Sequence, residues 1–153
     1  MPNQLDLDTT YLKMAEVWGQ LSKAKRKKVG CLIVKDSQII SDGYNGTPAG
    51  YSNECEFVNE KFLPQAENKL QTKPEVLHAE SNALMKLAKS TNSSKDSTIY
   101  LTMSPCFDCA KLIIQAGVVR VVYSETYRDQ EGIQFLNSNN VITELVQIPK
   151  IST

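Results

Sequence analysis

The sequence predicts an α/β protein, a three-layer α/β/α sandwich around a mixed sheet of about five strands. Two observations predict it. From residue 78 onward, segments with helical and strand-like patterns alternate: helix, strand, helix, strand, helix, strand. Such alternation belongs to a sheet covered by helices, with parallel pairing among its later strands. Within that half, residues 118–123 form a nearly all-apolar run, which suits a strand buried on both faces. A single domain, 1–153, accounts for the length, since 153 residues can bury a core of ordinary size.

Taken in order, the elements are as follows. Asp8 or Thr9 can cap a first helix whose apolar stripe, Tyr11, Met14, Ala15, Trp18 and Leu21, has helical spacing. A basic run over 23–28, interrupted only by Ala24, comes next. Residues 29–34 and 38–41 are rich in β-formers around a Lys35-Asp36-Ser37 turn, the pattern of a hairpin. Residues 43–50 hold three glycines and a proline in eight positions, the composition of a loop. The stretch 51–75 is polar and irregular, with one short helix expected around 54–62. A clear helix spans about 78–89, with Ala83, Leu84, Leu87 and Ala88 on one face. After a turn cluster at 92–97, residues 98–103 read as a strand, and Pro105 opens a helix that ends at Gly117. The strand at 118–123, a short helix near 132–136 and a last strand at 141–148 complete the chain.

Composition narrows the function. Lys plus Arg equals Asp plus Glu, 17 against 17, whereas a protein that grips a nucleic-acid backbone carries a basic surplus. The balance favours a small ligand over a polymer. The opening MPNQLDLDTT has neither the basic flank nor the apolar stretch of a secretory signal, and no apolar run is long enough to span a membrane. The expected location is therefore the cytoplasm. Of the four cysteines, Cys31, Cys55, Cys106 and Cys109, the last two stand three apart after a proline, a spacing for metal or redox chemistry rather than disulfides. His78 is the only histidine, which excludes every site built on two.

The chemistry-bearing pieces are His78-Ala79-Glu80 and Pro105-Cys106-Phe107-Asp108-Cys109, each at the start of a helix. Cysteines at i and i+3 share one face of a helical turn, so both sulfurs can reach one ion. A helix N-terminus also favours the thiolate. With His78 as third ligand, the fourth tetrahedral position stays open, as a catalytic zinc requires, and two thiolates with an imidazole suit Zn²⁺. Glu80, two residues beyond His78, can take a proton from the activated water and deliver it to a ring nitrogen. The combination H-x-E followed by P-C-x-x-C is the signature of zinc nucleobase deaminases. Alone, the cysteine pair is equally a redox pair or half of a structural zinc site, for which Cys31 or Cys55 could complete the ligand set. A core position in a strand is the other reading of Cys31.

With those residues placed, the chain resembles the deoxycytidylate (dCMP) deaminases, especially their viral branch, from about Tyr11 to Lys150. The motifs that carry the resemblance are Lys28-Val29-Gly30, the Gly43-Tyr44-Asn45-Gly46-Thr47-Pro48-Ala49-Gly50 segment, the two zinc pieces with Ser104, and Tyr123-Ser124-Glu125-Thr126-Tyr127. The resemblance implies a cytidine deaminase-like fold, conversion of dCMP to dUMP and ammonia for thymidylate synthesis, and a homohexamer in the host cytoplasm. It also implies activation by dCTP, with Mg²⁺ accompanying the triphosphate, and inhibition by dTTP. Asn45 matches an asparagine that binds the sugar 3′-hydroxyl; its other reading is a left-handed turn position. Ser22 and Arg26 match the substrate-phosphate loop, with the neighbouring lysines as solvated surface. Ala79 and Tyr127 match positions that contact the substrate, and Tyr127 is otherwise a packing residue. Gly43, Gly46, Pro48, Ala49 and Gly50 match the region of the effector nucleotide, where backbone amides can approach phosphates. Some viral relatives carry a second, structural zinc. The single histidine, and Ala24 where a cysteine is expected, imply one zinc per chain here.

Two other functions share parts of this pattern. A transfer-RNA adenosine deaminase uses the same zinc chemistry, but the neutral charge balance and the 43–50 segment argue against it. A non-catalytic zinc-binding module has no use for a carboxylate beside the metal that is not a ligand, and Glu80 is present.

Overall fold

A computed structural model describes residues 1–59, 61 and 70–151. The first helix, α1 (Gln4–Gly19), begins earlier than expected. Its cap is Asn3, whose side chain accepts from the Asp6 amide while the Asp6 carboxylate accepts from the Asn3 amide. This reciprocal capping box, N-x-x-D, displaces Asp8 and Thr9 from the capping role. The expected stripe is also rotated. The buried face is Asp8, Leu12, Ala15 and Gly19, while Met14, Trp18 and Leu21 are exposed. Gly19 packs against Gly30, so the helix lies close on the sheet at that end.

The hairpin forms as expected from β1 (Gly30–Lys35) and β2 (Gln38–Tyr44), paired antiparallel. Its turn residues Asp36 and Ser37 both have positive φ, 50° and 61°, matching the twist of tight hairpins. Strand β2 runs on through Gly43 and Tyr44, so the loop expected over 43–50 begins only at Asn45. The short helix expected around 54–62 does not form over its described part. There β3 (Glu56–Val58) pairs antiparallel with β4 (Leu70–Thr72) as a separate two-stranded ribbon; Phe62 lies outside the described residues.

The remaining elements are α2 (Ala79–Ala88), β5 (Thr98–Leu101), α3 (Phe107–Gln115), β6 (Arg120–Tyr123), α4 (Glu131–Ser138) and β7 (Ile142–Leu145). Five strands form one mixed sheet in the order β2-β1-β5-β6-β7, antiparallel at β1 and parallel from β5 to β7. Alternate side chains point to opposite faces. Cys31, Ile33, Ile99, Leu101, Val121 and Tyr123 join the core with α2, α3 and α4, and Leu32, Val34, Tyr100 and Val122 pack with Leu12 and Ala15 of α1. The 118–123 run thus serves both faces at its centre, and Cys31 is a fully buried core residue.

One ion pair fastens α1 to β6 on the face of the sheet that the helix covers. Buried Asp8 accepts from the Tyr100 hydroxyl at 2.6 Å and from Arg120 Nη1 at 2.9 Å, and Arg120 also pairs with Glu144. Burial alone pushes the Asp8 pKa up, but hydrogen bonds from Arg120, Tyr100 and Gln4 outweigh it and hold the carboxyl below its usual value. No helix among the described residues is long and apolar enough to cross a membrane.

Candidate active site

Two helix starts face each other at the end of the parallel strands. His78 is the N-cap of α2 and Cys106 the N-cap of α3; neither side chain caps its own helix, so both are free to point into the space between. His78 Nδ1 lies 3.5 Å from Cys106 Sγ and 3.3 Å from Cys109 Sγ. These three donors lie within 4.8 Å of one another, the one such group found among the described residues. Neither Cys31 nor Cys55 belongs to it, which removes the fourth protein ligand of a purely structural site. Imidazole nitrogen with two sulfurs is a donor set that fits Zn²⁺.

Close backbone contacts fix both starts. A Cβ on Gly43 would lie 2.4 Å from the Ala79 carbonyl oxygen, so only glycine lets β2 approach the first turn of α2. A Cβ on Gly132 would lie 2.2 Å from the Pro105 carbonyl oxygen, so α4 can seat directly under the cysteine turn. Gly43 is therefore a buried packing contact between β2 and α2.

The electrostatics follow from these distances. The hydrogen bond from Cys109, with help from His78, holds Cys106 down at about 4, while the hydrogen bond to Cys106, burial and the nearby Glu80 carboxylate push Cys109 well up. The hydrogen bond to Cys106 raises the His78 pKa. Glu80 is 4% exposed, with Oε1 3.7 Å from His78 Nδ1. Burial raises its pKa, the setting of a carboxylate that accepts and returns a proton.

His78, Glu80 and Cys106 form the floor of a cleft of about 310 Å³, with the Cys109 sulfur directly behind His78. Arg26, Asn45, Ala79 and Tyr127, four of the five expected substrate contacts, line it. Ser22, the fifth, does not. It is buried, donating to the Asn45 carbonyl oxygen at 2.7 Å and accepting from the Ala24 amide at 3.2 Å, so it braces the loop from behind. Asn45 does not have the positive φ of a left-handed turn residue. Its Oδ1 accepts from the Val29 amide at 2.9 Å and its Nδ2 donates to the Lys27 carbonyl oxygen at 2.8 Å, which leaves one N–H and one lone pair unused. Lys27 pairs with Glu125 at 2.7 Å, and the Tyr127 amide donates to Ser104 Oγ at 2.7 Å, so the far wall is tied to the cysteine loop. Glu56 and Thr72 of the ribbon, Val76 and Met103 line the cleft without having been singled out in the sequence, while Cys55 was weighed there only as a zinc ligand and Ser104 only as part of a motif. Ser104 adjoins the Pro-Cys motif and was within reach; the ribbon residues carry no local signal.

Residues 5–125 match the family model described as the cytidine and deoxycytidylate deaminase zinc-binding region. The chain belongs to that family. As a member it is an enzyme, a deaminase, and His78, Cys106 and Cys109 fall within the family's zinc-binding region. Among curated relatives, the deoxycytidylate deaminase of enterobacteria phage T4 is 34% identical across 93% of this chain and 90% of its own length. The human deoxycytidylate deaminase is 39% identical across 79% of this chain and 66% of its own length. Among solved structures, the dCMP deaminase of cyanophage S-TIM5, in complex with dCMP and dUMP, superposes with a TM-score of 0.84. That similarity has 42% identity and covers 95% of this chain and all of that one.

Proposed function

We propose that this chain hydrolyses dCMP to dUMP and ammonia. The observation that carries the proposal is a single cleft with the buried Glu80 carboxylate, His78 and Cys106 on its floor, Cys109 completing the donor group behind them, and Asn45 and Arg26 on its walls. The cyanophage relative, solved with both dCMP and dUMP, supports the nucleotide as substrate.

His78, Cys106 and Cys109 would hold the zinc ion, which when bound supplies Lewis-acid activation of the attacking water. Glu80 does the proton work. It takes one proton from that water as the oxygen bonds to C4 of the pyrimidine, and gives it to N3. After the tetrahedral adduct forms, Glu80 carries the second proton to the departing amino group, and the C4–N4 bond breaks to release ammonia. Ala79, buried under the floor, contacts the ring, and Tyr127 closes the opposite wall. The spare donor and acceptor of Asn45 suit the sugar 3′-hydroxyl, which both gives and takes a hydrogen bond. The exposed Arg26 suits the phosphate. Lys27 is engaged by Glu125, and Ser22 serves the phosphate indirectly, through the loop it braces.

The proposal extends to regulation and assembly: dCTP as activator with Mg²⁺ on its triphosphate, dTTP as inhibitor, a homohexamer, and dUMP passed to thymidylate synthesis in the host cytoplasm. Family likeness supports these, together with the turn at Gly46, Pro48, Ala49 and Gly50, where a Cβ on either glycine meets nothing within 4 Å.

The test is ammonia release from dCMP, deoxycytidine and a transfer-RNA anticodon stem-loop, each with and without dCTP. Turnover confined to dCMP and raised by dCTP is expected. Turnover of the RNA alone, or of none of the three, overturns the proposal.

A further inference from the structure

The basic loop between α1 and β1 already holds an anion. Glu56 Oε1, from the first strand of the separate ribbon, accepts from two consecutive backbone amides, Lys25 at 2.8 Å and Arg26 at 3.1 Å. Successive amides converging on one oxygen are how protein backbones bind phosphate. Glu56, Arg26 and Thr72 all line the same cleft as Glu80.

Two roles are open to such a carboxylate: it holds the loop in shape, or it occupies the place of a ligand anion. The loop has other supports on both sides of the contact. Ser22 holds the Ala24 amide, Asn45 holds the Lys27 carbonyl and the Val29 amide, and Glu125 holds the Lys27 ammonium. Among the described residues no cation lies within ion-pair distance of Glu56, and the two amides are the partners of its carboxylate there. The element that carries it is a two-stranded ribbon outside the main sheet, and such ribbons have little stability of their own. A loop braced independently and a weakly held carboxylate together describe an exchangeable occupant.

We infer that Glu56 is an internal stand-in for the substrate's phosphate and a determinant of selectivity: a nucleoside monophosphate gains the Lys25 and Arg26 amides by displacing the Glu56 carboxylate. This rests on the nucleotide reading of the cleft. A dianionic phosphate and a carboxylate cannot share these two donors, so each nucleotide that binds must first break two charge-assisted hydrogen bonds. A nucleoside, which has no phosphate, leaves them intact. Glu56 thus weakens nucleotide binding in the free enzyme and keeps the loop satisfied when no substrate is present.

The experiment is calorimetric titration of the zinc-loaded protein, Glu56→Gln and Glu56→Ala with dUMP, which is not turned over, and with deoxyuridine. The expected result is that the ratio of dUMP to deoxyuridine affinity rises about tenfold in Glu56→Gln and further in Glu56→Ala, the scale of charge-assisted bonds no longer broken. An unchanged or lower ratio in folded variants means that Glu56 braces the loop, and overturns the inference. A parent protein that binds dUMP no better than deoxyuridine overturns the nucleotide reading itself. Hydrogen exchange on the unmutated protein gives a second measure. Addition of dUMP should speed exchange in residues 56–58 relative to deoxyuridine, and slower exchange there refutes displacement.

Discussion

The floor and the mouth of the cleft are built on opposite plans. The floor is set by two helix starts, each fixed by a glycine that lets another element press directly on it, Gly43 against Ala79 and Gly132 against Pro105. The mouth is a basic loop braced by side-chain bonds through Ser22 and Asn45, and a two-stranded ribbon that meets it through Glu56. In the proposed reaction the floor performs the bond-breaking step, where a small displacement costs much of the rate. The mouth, as proposed, recognises a flexible, charged group and exchanges partners to do so. Rigid backbone contacts serve the chemistry, and replaceable hydrogen bonds serve the selection.

Four changes separate the two regions, in falling order of effect. Cys109→Ala removes a floor sulfur, and zinc measured by atomic absorption is expected to drop to background along with turnover; full metal content there would mean a different ligand set. Glu80→Ala is expected to keep zinc and fold while kcat falls by about three orders of magnitude. Substantial residual deamination in that variant would take the proton shuttle away from Glu80. Asp8→Asn tests the frame beneath both regions. It should lower unfolding stability at neutral pH by about 2 kcal/mol, less than for an orphaned buried charge because Glu144 still pairs with Arg120. The pH dependence has a fixed sign. Asp8 binds its proton less tightly when folded, so its contribution is complete well above 3.8 and is lost as pH falls below that through the folded value. Chemical denaturation of the variant across the acid range should therefore show a flatter limb, and an unchanged limb would exclude Asp8 as its source. Arg26→Ala is the smallest: KM for dCMP is expected to rise about tenfold with kcat little changed. A fall in kcat of the same size would place Arg26 with the floor.

The same division explains what the sequence revealed. His78, Glu80, Cys106 and Cys109 were legible because their spacing is local and a helix start converts it directly into geometry. The hairpin and the parallel strands were legible from turn residues and apolar runs. The ribbon was not: Glu56–Val58 pairs with Leu70–Thr72 across a long interruption, and neither piece has a pattern of its own. Asp8 looked like a helix cap because its partner Arg120 lies 112 residues away. Ser22 was expected at the phosphate from its place in the basic loop; that its hydroxyl donates to the Asn45 carbonyl oxygen, a contact spanning 23 residues, has no local signal.

His78 is the only imidazole in the chain, and it stands half-exposed between two sulfurs and a carboxylate. In a nitrogen-15-labelled sample, every histidine side-chain resonance therefore originates at the reaction centre. Tautomer, protonation and metal loading can be followed there from a single pair of ring nitrogens, without assignment by mutagenesis.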